Sequence, residues 1–596
     1  MKFLTQPVRW ILFLLAIMIS GMIFSCGYST PSSPVGEKQA DLVIKSALIF
    51  TCDPQQPLAQ AIAVRDGHII YVGTDKAASG YIGTGTRTIQ AGGKFIYPGF
   101  IDSHTHAAWL GMLSPMLASI YEAKSVDEIR TMVRNFASQN PSLPFIMAIG
   151  WKYDYIPNGI PTLQMAESIL SDRPLILWSH DGHTGWVNKA ALEKMRTANP
   201  DAFRRLTPVF DPATGEPNGI FLHFYSIDPF DYWALEEIGS EIKDRMAEGL
   251  KKLLNQALAV GVTTHHDVMI HKPVMPLLKE MSDKGCFQNA RVKGDYFLDH
   301  YSLEDPERLV SDLNYWTQFG NSNSTSHLTL GLSVKLGMDG VSPTHTSFLN
   351  EPYNDAPGNY GIASWTQDDF TRIVKIIDGM KIQICTHATG DAAITRVINA
   401  YESARQANGG WDSRHTIEHC SLPVQNDWGR MAQLGIYAAM QPTHFLGTAT
   451  TENALGETRM KRSHPWRSLK DAGVPIAFGT DYSIVPFNPI LGLMMAALRI
   501  NYKWETNWGP NEALSVADGI NFYTIGSARA MKMEQEIGSL KVGKYGDMVM
   551  FSINLFDITS PEFLRAYQSD PGSLDHFVLL TLVEGRVVYQ KPGESY

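Results

Sequence analysis

Cysteine is scarce in this chain. Five occur in 596 residues (Cys26, Cys52, Cys286, Cys385 and Cys420), and none forms a C-x-x-C pair. That excludes a disulfide framework and a thiolate zinc site. Cys385 and Cys420 lie close to histidines in the sequence, and buried free thiols are the expectation for both. No long block of basic residues interrupts a chain of net charge −10, so a nucleic-acid partner is not expected. The stretch from Gly80 to Gly85 lacks the Lys-Ser/Thr ending of a phosphate-cradling loop, which excludes that kind of nucleotide site. The apolar run Trp10 to Phe24 is shorter than the roughly 20 residues that a helical membrane span needs.

What is present reads as a packed globular protein, with 44% hydrophobic and 18% charged residues. The length calls for a large unit plus at least one smaller one. Residues 1–25 read as a secretory signal: Lys2 and Arg9 precede the apolar run, and Ile23-Phe24-Ser25-Cys26 closes it. That closing tetrapeptide resembles a bacterial lipobox, which implies cleavage before Cys26 and lipid on its thiol. Residues 26–39, with Tyr28-Ser29-Thr30-Pro31-Ser32-Ser33-Pro34, then form a tether without periodicity. The expected location is the cell envelope, outside the cytoplasm, with the membrane reached through the lipid anchor alone.

Short apolar runs follow at Asp41 to Ile44, Ala61 to Val64 and His68 to Val72, with Asp66-Gly67 as a hairpin turn. Met548 to Phe551 and Gly585 to Tyr589 give a matching set at the other end. Residues 40–97 and 535–596 are therefore expected to pack as one small β-sandwich. Between them, residues 98–534 alternate strand-like runs (Leu175 to Trp178, Val262 to His265, Val334 to Gly337, Gln383 to Thr386, Thr416 to Glu418, Tyr437 to Met440, Ile476 to Gly479) with helical patterns (Glu241 to Ala259, Asp368 to Met380, Ala392 to Ala407). That alternation predicts an α/β fold, a (β/α)8 TIM-type barrel. The region 107–237 is too long for one βα unit and reads as an insertion.

The chain is organised around Tyr97-Pro98-Gly99-Phe100-Ile101-Asp102-Ser103-His104-Thr105-His106. On a strand, residues i and i+2 share a face, so His104 and His106 can aim two imidazoles at one divalent ion. Further strand ends finish in Lys335, His387, His419 and Asp481. In a barrel, all of these would meet at the C-terminal mouth.

With Asp181-Gly182-His183, Gly261-Val262-Thr263-Thr264, His387-Ala388-Thr389-Gly390-Asp391, Ile417-Glu418-His419, Gln441-Pro442 and Gly479-Thr480-Asp481, the sequence resembles the amidohydrolase superfamily, in the branch that includes N-substituted formamide deformylases. The resemblance implies a divalent-metal site, usually zinc, with one or two ions. His104 and His106 would hold the more buried ion. His387 and His419 would hold the second, and Asp481 would contact metal and water. Lys335 matches a lysine that is carboxylated in many relatives and bridges the two ions. An ammonium cannot ligate a cation, so Lys335 serves only if neutral or carboxylated; otherwise it is an ion-pair partner inside the barrel. His223 follows Gly215-Glu216-Pro217-Asn218-Gly219 in a slot where relatives commonly carry glutamate, which opens a metal-related or substrate role for it.

The expected reaction is hydrolysis of an amide-type, non-peptide carbon–nitrogen bond in a small molecule, by water activated at the metal. Asp481 would take the water's proton and return it to the leaving nitrogen. His183 is the candidate for oxyanion stabilisation or substrate grip. Trp109, Trp151, Trp178 and Trp186 suggest an apolar or aromatic pocket, with Trp109 and Trp186 as substrate contacts. Deamination, cyclic-amide opening and a non-catalytic lipid-anchored binding protein are the competing readings, and a homodimer is left open. The lipobox reading has its own check. Cys26→Ala leaves the protein unlipidated and releases it from membranes on fractionation, and unchanged membrane association contradicts the tether.

Overall fold

The computed structural model describes residues 39–157, 161–180, 184–198, 200, 203, 207–210, 215–222, 235, 237–298 and 303–596. Cys26, His183 and His223 lie outside the described residues, as does the expected signal sequence. Eight strands follow one another in chain order: β1 (Phe100–Thr105), β2 (Val262–Ile270), β3 (Arg291–Phe297), β4 (Ser333–Gly337), β5 (Gln383–Ala388), β6 (Thr416–His419), β7 (Tyr437–Met440) and β8 (Ile476–Phe478). Each pairs in parallel with the next. All six residues of β1 are buried, as parallel strands covered on both faces should be. A parallel bridge between Thr105 and Tyr482 brings the sheet back on itself. This is the expected (β/α)8 barrel.

Helices cover it because their apolar residues recur at helical spacing. Ser240–Ala259, for example, buries Ile242, Met246, Leu250, Leu253 and Ala257 on one stripe. The helix Ala107–Leu113 lies directly on that one. A Cβ on Gly249 would come within 2.6 Å of the Gly111 carbonyl, so the close approach requires glycine there.

The strand Leu175–Ser179 is not part of the barrel. It belongs to a six-stranded sheet in the order Thr207–Phe210, Pro217–Leu222, Thr184–Val187, Leu175–Ser179, Ile146–Trp151, Leu117–Ser119, placed in the chain between β1 and β2. The barrel's third strand is Arg291–Phe297, which no apolar run announces. Its alternate residues Arg291, Lys293 and Asp295 are charged yet buried, because each has a polar partner: Lys293 and Asp295 within the barrel, Arg291 in the C-terminal segment. Lys293 donates to Gln383 Oε1 at 2.8 Å, and Arg291 pairs with Asp547 and with Glu584.

The two ends of the chain build the expected sandwich. One sheet runs His68–Gly73, Ala61–Arg65, Leu42–Lys45, Arg87–Gln90; the other runs Arg586–Gln590, Val578–Val583, Met548–Phe551, Phe95–Pro98, Leu48–Phe50, Leu58–Ala59. Leu42, Ile44, Ile62 and Val64 from the first pack with Ile96, Met548, Met550, Leu580 and Leu582 from the second. Asp66 and Gly67 both adopt positive φ, at 50° and 78°, as a tight two-residue hairpin requires. Cys52, Cys286, Cys385 and Cys420 are buried free thiols. Among the described residues no helix is long and apolar enough to cross a membrane.

At the seam, Asp481 N donates to His104 O at 2.7 Å and His106 N to Tyr482 O at 2.9 Å. Gly479 makes this approach feasible, since a Cβ there would stand 2.6 Å from His104 N and 2.8 Å from Asp102 Oδ1. Both neighbours are held in place, so Gly479→Ala should cost about 1–3 kcal/mol of stability through overpacking. Denaturant unfolding measures this, and an unchanged midpoint would mean that β8 can move off β1.

Candidate metal centre

The barrel brings the candidate side chains together from five of its strands. His104 is the penultimate residue of β1, and His106 follows it as the N-cap of the next helix. Lys335 lies on β4, His387 on β5, His419 ends β6, and Asp481 stands three residues past β8. Two of these positions are conformationally unusual. His419 and Asp481 adopt φ of 68° and 62°, in the left-handed region, at a cost of about 1–2 kcal/mol each. Such outliers persist where the surrounding structure holds them, and they cluster at functional sites.

Asp481 is the meeting point. Its Oδ1 lies 3.0 Å from His106 Nε2 and 3.6 Å from His104 Nε2. Its Oδ2 lies 3.7 Å from His444 Nε2 and 4.0 Å from His419 Nδ1. The ring of His419 sits 4.7 Å from that of His104 and 4.5 Å from that of His387, centre to centre. The His106 contact is close but not aligned as a hydrogen bond. Asp481 Oδ1, His106 Nδ1 and His444 Nε2 are all buried without a hydrogen-bond partner.

Buried lone pairs left unpaired around one point suit a cation. Two ligands of a tetrahedral zinc at 2.0–2.1 Å stand about 3.3 Å apart, and the separations around Asp481 bracket that value. Among the described residues, His104, His106 and Asp481 form one set of three potential donors, and His419, His444 and Asp481 form another. The residues fit a divalent metal.

Partners behind the rings fix their orientation. His104 Nδ1 meets Glu418 Oε2 at 2.5 Å, and His419 Nδ1 meets Gln441 Oε1 at 2.8 Å. A carboxylate behind a histidine orients the ring and makes it a stronger ligand. His387 Nε2 is 3.0 Å from the Gly340 carbonyl. Burial first, and then the positive charge of Lys335 among other neighbours, holds His104 well below the usual imidazole range. Burial likewise lowers His419 well below that range, with His387 and Lys335 adding to it, and burial lowers His444. Neutral imidazoles are the form that binds metal. Burial pushes the Asp481 carboxyl up, but His106, His444 and Lys335 outweigh it and hold the group below its ordinary value. The same burial pushes Glu418 up to about 7.

A third set, His266, Asp295 and Cys385, is fully buried. Both His266 nitrogens are engaged there, Nδ1 with Ser103 O at 3.1 Å and Nε2 with Asp295 Oδ1 at 2.7 Å. Burial holds the Cys385 thiol well above its usual pKa, so this set lacks the deprotonated sulfur and free ring nitrogen a metal takes. Trp109 lies buried on the helix that follows His106. Trp186 is fully buried in the insertion, edge-on to Trp151 at 6.0 Å, with its indole N–H donated to Thr162 O at 2.9 Å.

His444 and Glu418 were not among the residues the sequence singled out. His444 follows β7 in Gln441-Pro442-Thr443-His444, so the rule that ligands leave strand ends could have reached it. Glu418 carried no such signal, because strand alternation turns it away from its neighbour His419.

Comparison with known proteins agrees with this geometry. The amidohydrolase family model matches residues 87–589. The chain is 29% identical to the protein LONG AFTER FAR-RED 3 of Arabidopsis thaliana over 92% of each chain. It is 25% identical to the N-substituted formamide deformylase of Arthrobacter pascens, over 93% of this chain and 99% of that one. An uncharacterized metal-dependent hydrolase from Pyrococcus horikoshii shares the fold, with a TM-score of 0.68 at 22% identity, over 86% of this chain and 98% of that one.

The Glu418–His104 contact yields a specific test. Glu418→Gln keeps the shape but loses the carboxylate, and should weaken zinc binding about 10–100-fold. Competition against a chromogenic chelator measures it, and unchanged affinity would remove Glu418 from the metal's support.

Proposed function

The chain belongs to the amidohydrolase family, and on that premise we propose that it hydrolyses an amide-type, non-peptide carbon–nitrogen bond of a small molecule in a metal-dependent reaction. The observation that carries this reading is the Asp481 carboxylate set among imidazoles with a buried oxygen left unbonded. His104, His106 and Asp481 would hold a divalent ion, with zinc the first choice for two imidazoles and a carboxylate. His419, His387 and Lys335 stand beside it. A bound ion of this kind lowers the pKa of water towards roughly 7 and polarises a carbonyl.

The chain's own residues supply the rest. Asp481 is held ionised below its ordinary range, so it can accept a proton from the attacking water and pass it to the leaving nitrogen. His104 and His419 are kept neutral by burial, so they remain donors of lone pairs rather than of protons. Glu418 and Gln441 keep two of the rings from turning. Lys335 is close enough to depress its histidine neighbours, and as an ammonium it opposes a cation; carboxylation would reverse that charge. The similarity to a formamide deformylase supports N-formyl and N-acyl amines as the first substrates to try. The Ile23-Phe24-Ser25-Cys26 segment supports delivery of this activity to the outer face of a membrane.

Two variants and one panel test the reading. On N-formyl amines, N-acyl amines, cyclic ureas and aminated heterocycles, the zinc-loaded enzyme should turn over one class. Asp481→Asn should lower kcat about 10²–10⁴-fold, the usual contribution of a positioned acid–base group. His104→Ala should lose at least as much while circular dichroism stays unchanged. Wild-type turnover by either variant with metal bound would overturn the assignment.

A further inference from the structure

We propose that the end of the barrel opposite the metal centre holds a binding site for a small carboxylic acid with an apolar body, seated between the barrel and the sandwich. The inference goes beyond the hydrolase reading and does not depend on it. A cavity of about 410 Å³ opens there, within the range that small-molecule sites occupy. It lies where β7 and β8 begin, at Tyr437 and Ile476, whereas Asp481 stands past the other end of β8. Phe50 of the sandwich, Val474, Phe522 and Ile525 supply apolar walls. Phe522 and Ile525 belong to a single π-helical turn, Phe522–Gly526, set inside a helical run from Val516 to Ala530. Such turns are rare and recur at functional sites. This one is fastened to the barrel: the Ser527 hydroxyl donates to Phe478 O at 3.0 Å, and the Tyr523 hydroxyl to Gly479 O at 3.4 Å. The wall is therefore preformed.

The polar groups of the cavity select the ligand. Arg529 and Asn521 line it as well, and neither the guanidinium nor the carboxamide has a hydrogen-bond partner among the described residues. Burial, Lys541 and Arg529 together lower Lys544 to about 8, so the guanidinium adds to positive charge already there. Asp53 is the one carboxylate in the lining, and it is engaged: its Oδ1 accepts from Gln55 N at 3.1 Å, and its Oδ2 lies 3.5 Å from Lys541 Nζ. A free guanidinium with an amide donor beside it matches a carboxylate. Aromatic and aliphatic walls around one such cation suit a single negative charge on an apolar body, the usual balance of a small-molecule pocket.

Ligand titration decides the matter without recourse to activity. The zinc-loaded full chain is titrated with 4-fluorobenzoate and, separately, with 4-fluorobenzyl alcohol, and binding is read from the fluorine NMR signal of each probe. The acid should bind, and the alcohol should bind about tenfold more weakly or worse, the worth of a charge-assisted hydrogen bond. Arg529→Gln, at an exposed position, should weaken the acid to a similar degree. Ile525→Trp fills the cavity and should abolish binding of the acid. Asn521→Trp serves should that variant lose its circular dichroism. An acid held at the zinc instead would keep its affinity in these variants. Undiminished affinity in Arg529→Gln or in a folded cavity-filling variant therefore overturns the site, as does an alcohol that binds as tightly as the acid, or an acid that does not bind. The hydrolase reading stands in each of those cases.

Discussion

The site depends on the last strand of the barrel being fastened to the first. Asp102 does much of this. Its Oδ1 accepts from Thr480 N at 2.8 Å and His104 N at 3.3 Å, and its Oδ2 accepts from the Thr480 hydroxyl. Between β1 and β8 only an isolated bridge and a few backbone bonds otherwise close the circle, where the other neighbours share longer ladders. His104 and His106 leave from one side of this seam and Asp481 from the other. A barrel ajar by the width of a side chain would still be folded, yet its carboxylate would no longer lie among the imidazoles. Closure and assembly of the donor set are one event.

Around that seam, burial sets the charge states. His104 and His419 lie in one small volume with Lys335, and the charged form of each of these two rings is doubly disfavoured, by lost hydration and by its neighbours. The rings stay neutral as a result, and the two groups best placed to carry negative charge are sorted by their surroundings. Asp481 is held below its ordinary carboxyl range, whereas burial pushes Glu418 up to about 7 and it works from behind as a partner of His104. The two carboxyls thus take different roles from different environments.

Much of this could be read from the sequence because strands ending in ligand-type residues have a period. His104 and His106 share a face by alternation, and the order of Lys335, His387, His419 and Asp481 follows the order of strands around the barrel. The sandwich was legible from its hairpin turn and short apolar runs at the two ends of the chain. Other features had no such signal. The third strand hides because Arg291, Lys293 and Asp295 are buried charges, where a strand pattern would place apolar residues. Glu418 and His419 are consecutive, so alternation sends them to opposite faces; the left-handed backbone at His419 breaks that rule, and only coordinates reveal a φ of 68°. His444 lies just past β7, beyond the Gln441-Pro442 pair that carries the family resemblance.

The sandwich that frames the barrel joins the start of the chain to its end. Phe95–Pro98 pairs antiparallel with Met548–Phe551, so Tyr97 meets Val549 across about 450 residues of sequence. At ribosomal speeds of roughly 5–20 residues per second, the early strand waits on the order of half a minute before its partner emerges. Leu48–Phe50 covers one of its edges almost at once, through Leu48 and Phe95. The other edge stays open on the nascent chain throughout, a template for any stray strand. Synthesis that stalls before the final segment therefore leaves a sticky, unfinished sheet rather than a shortened enzyme.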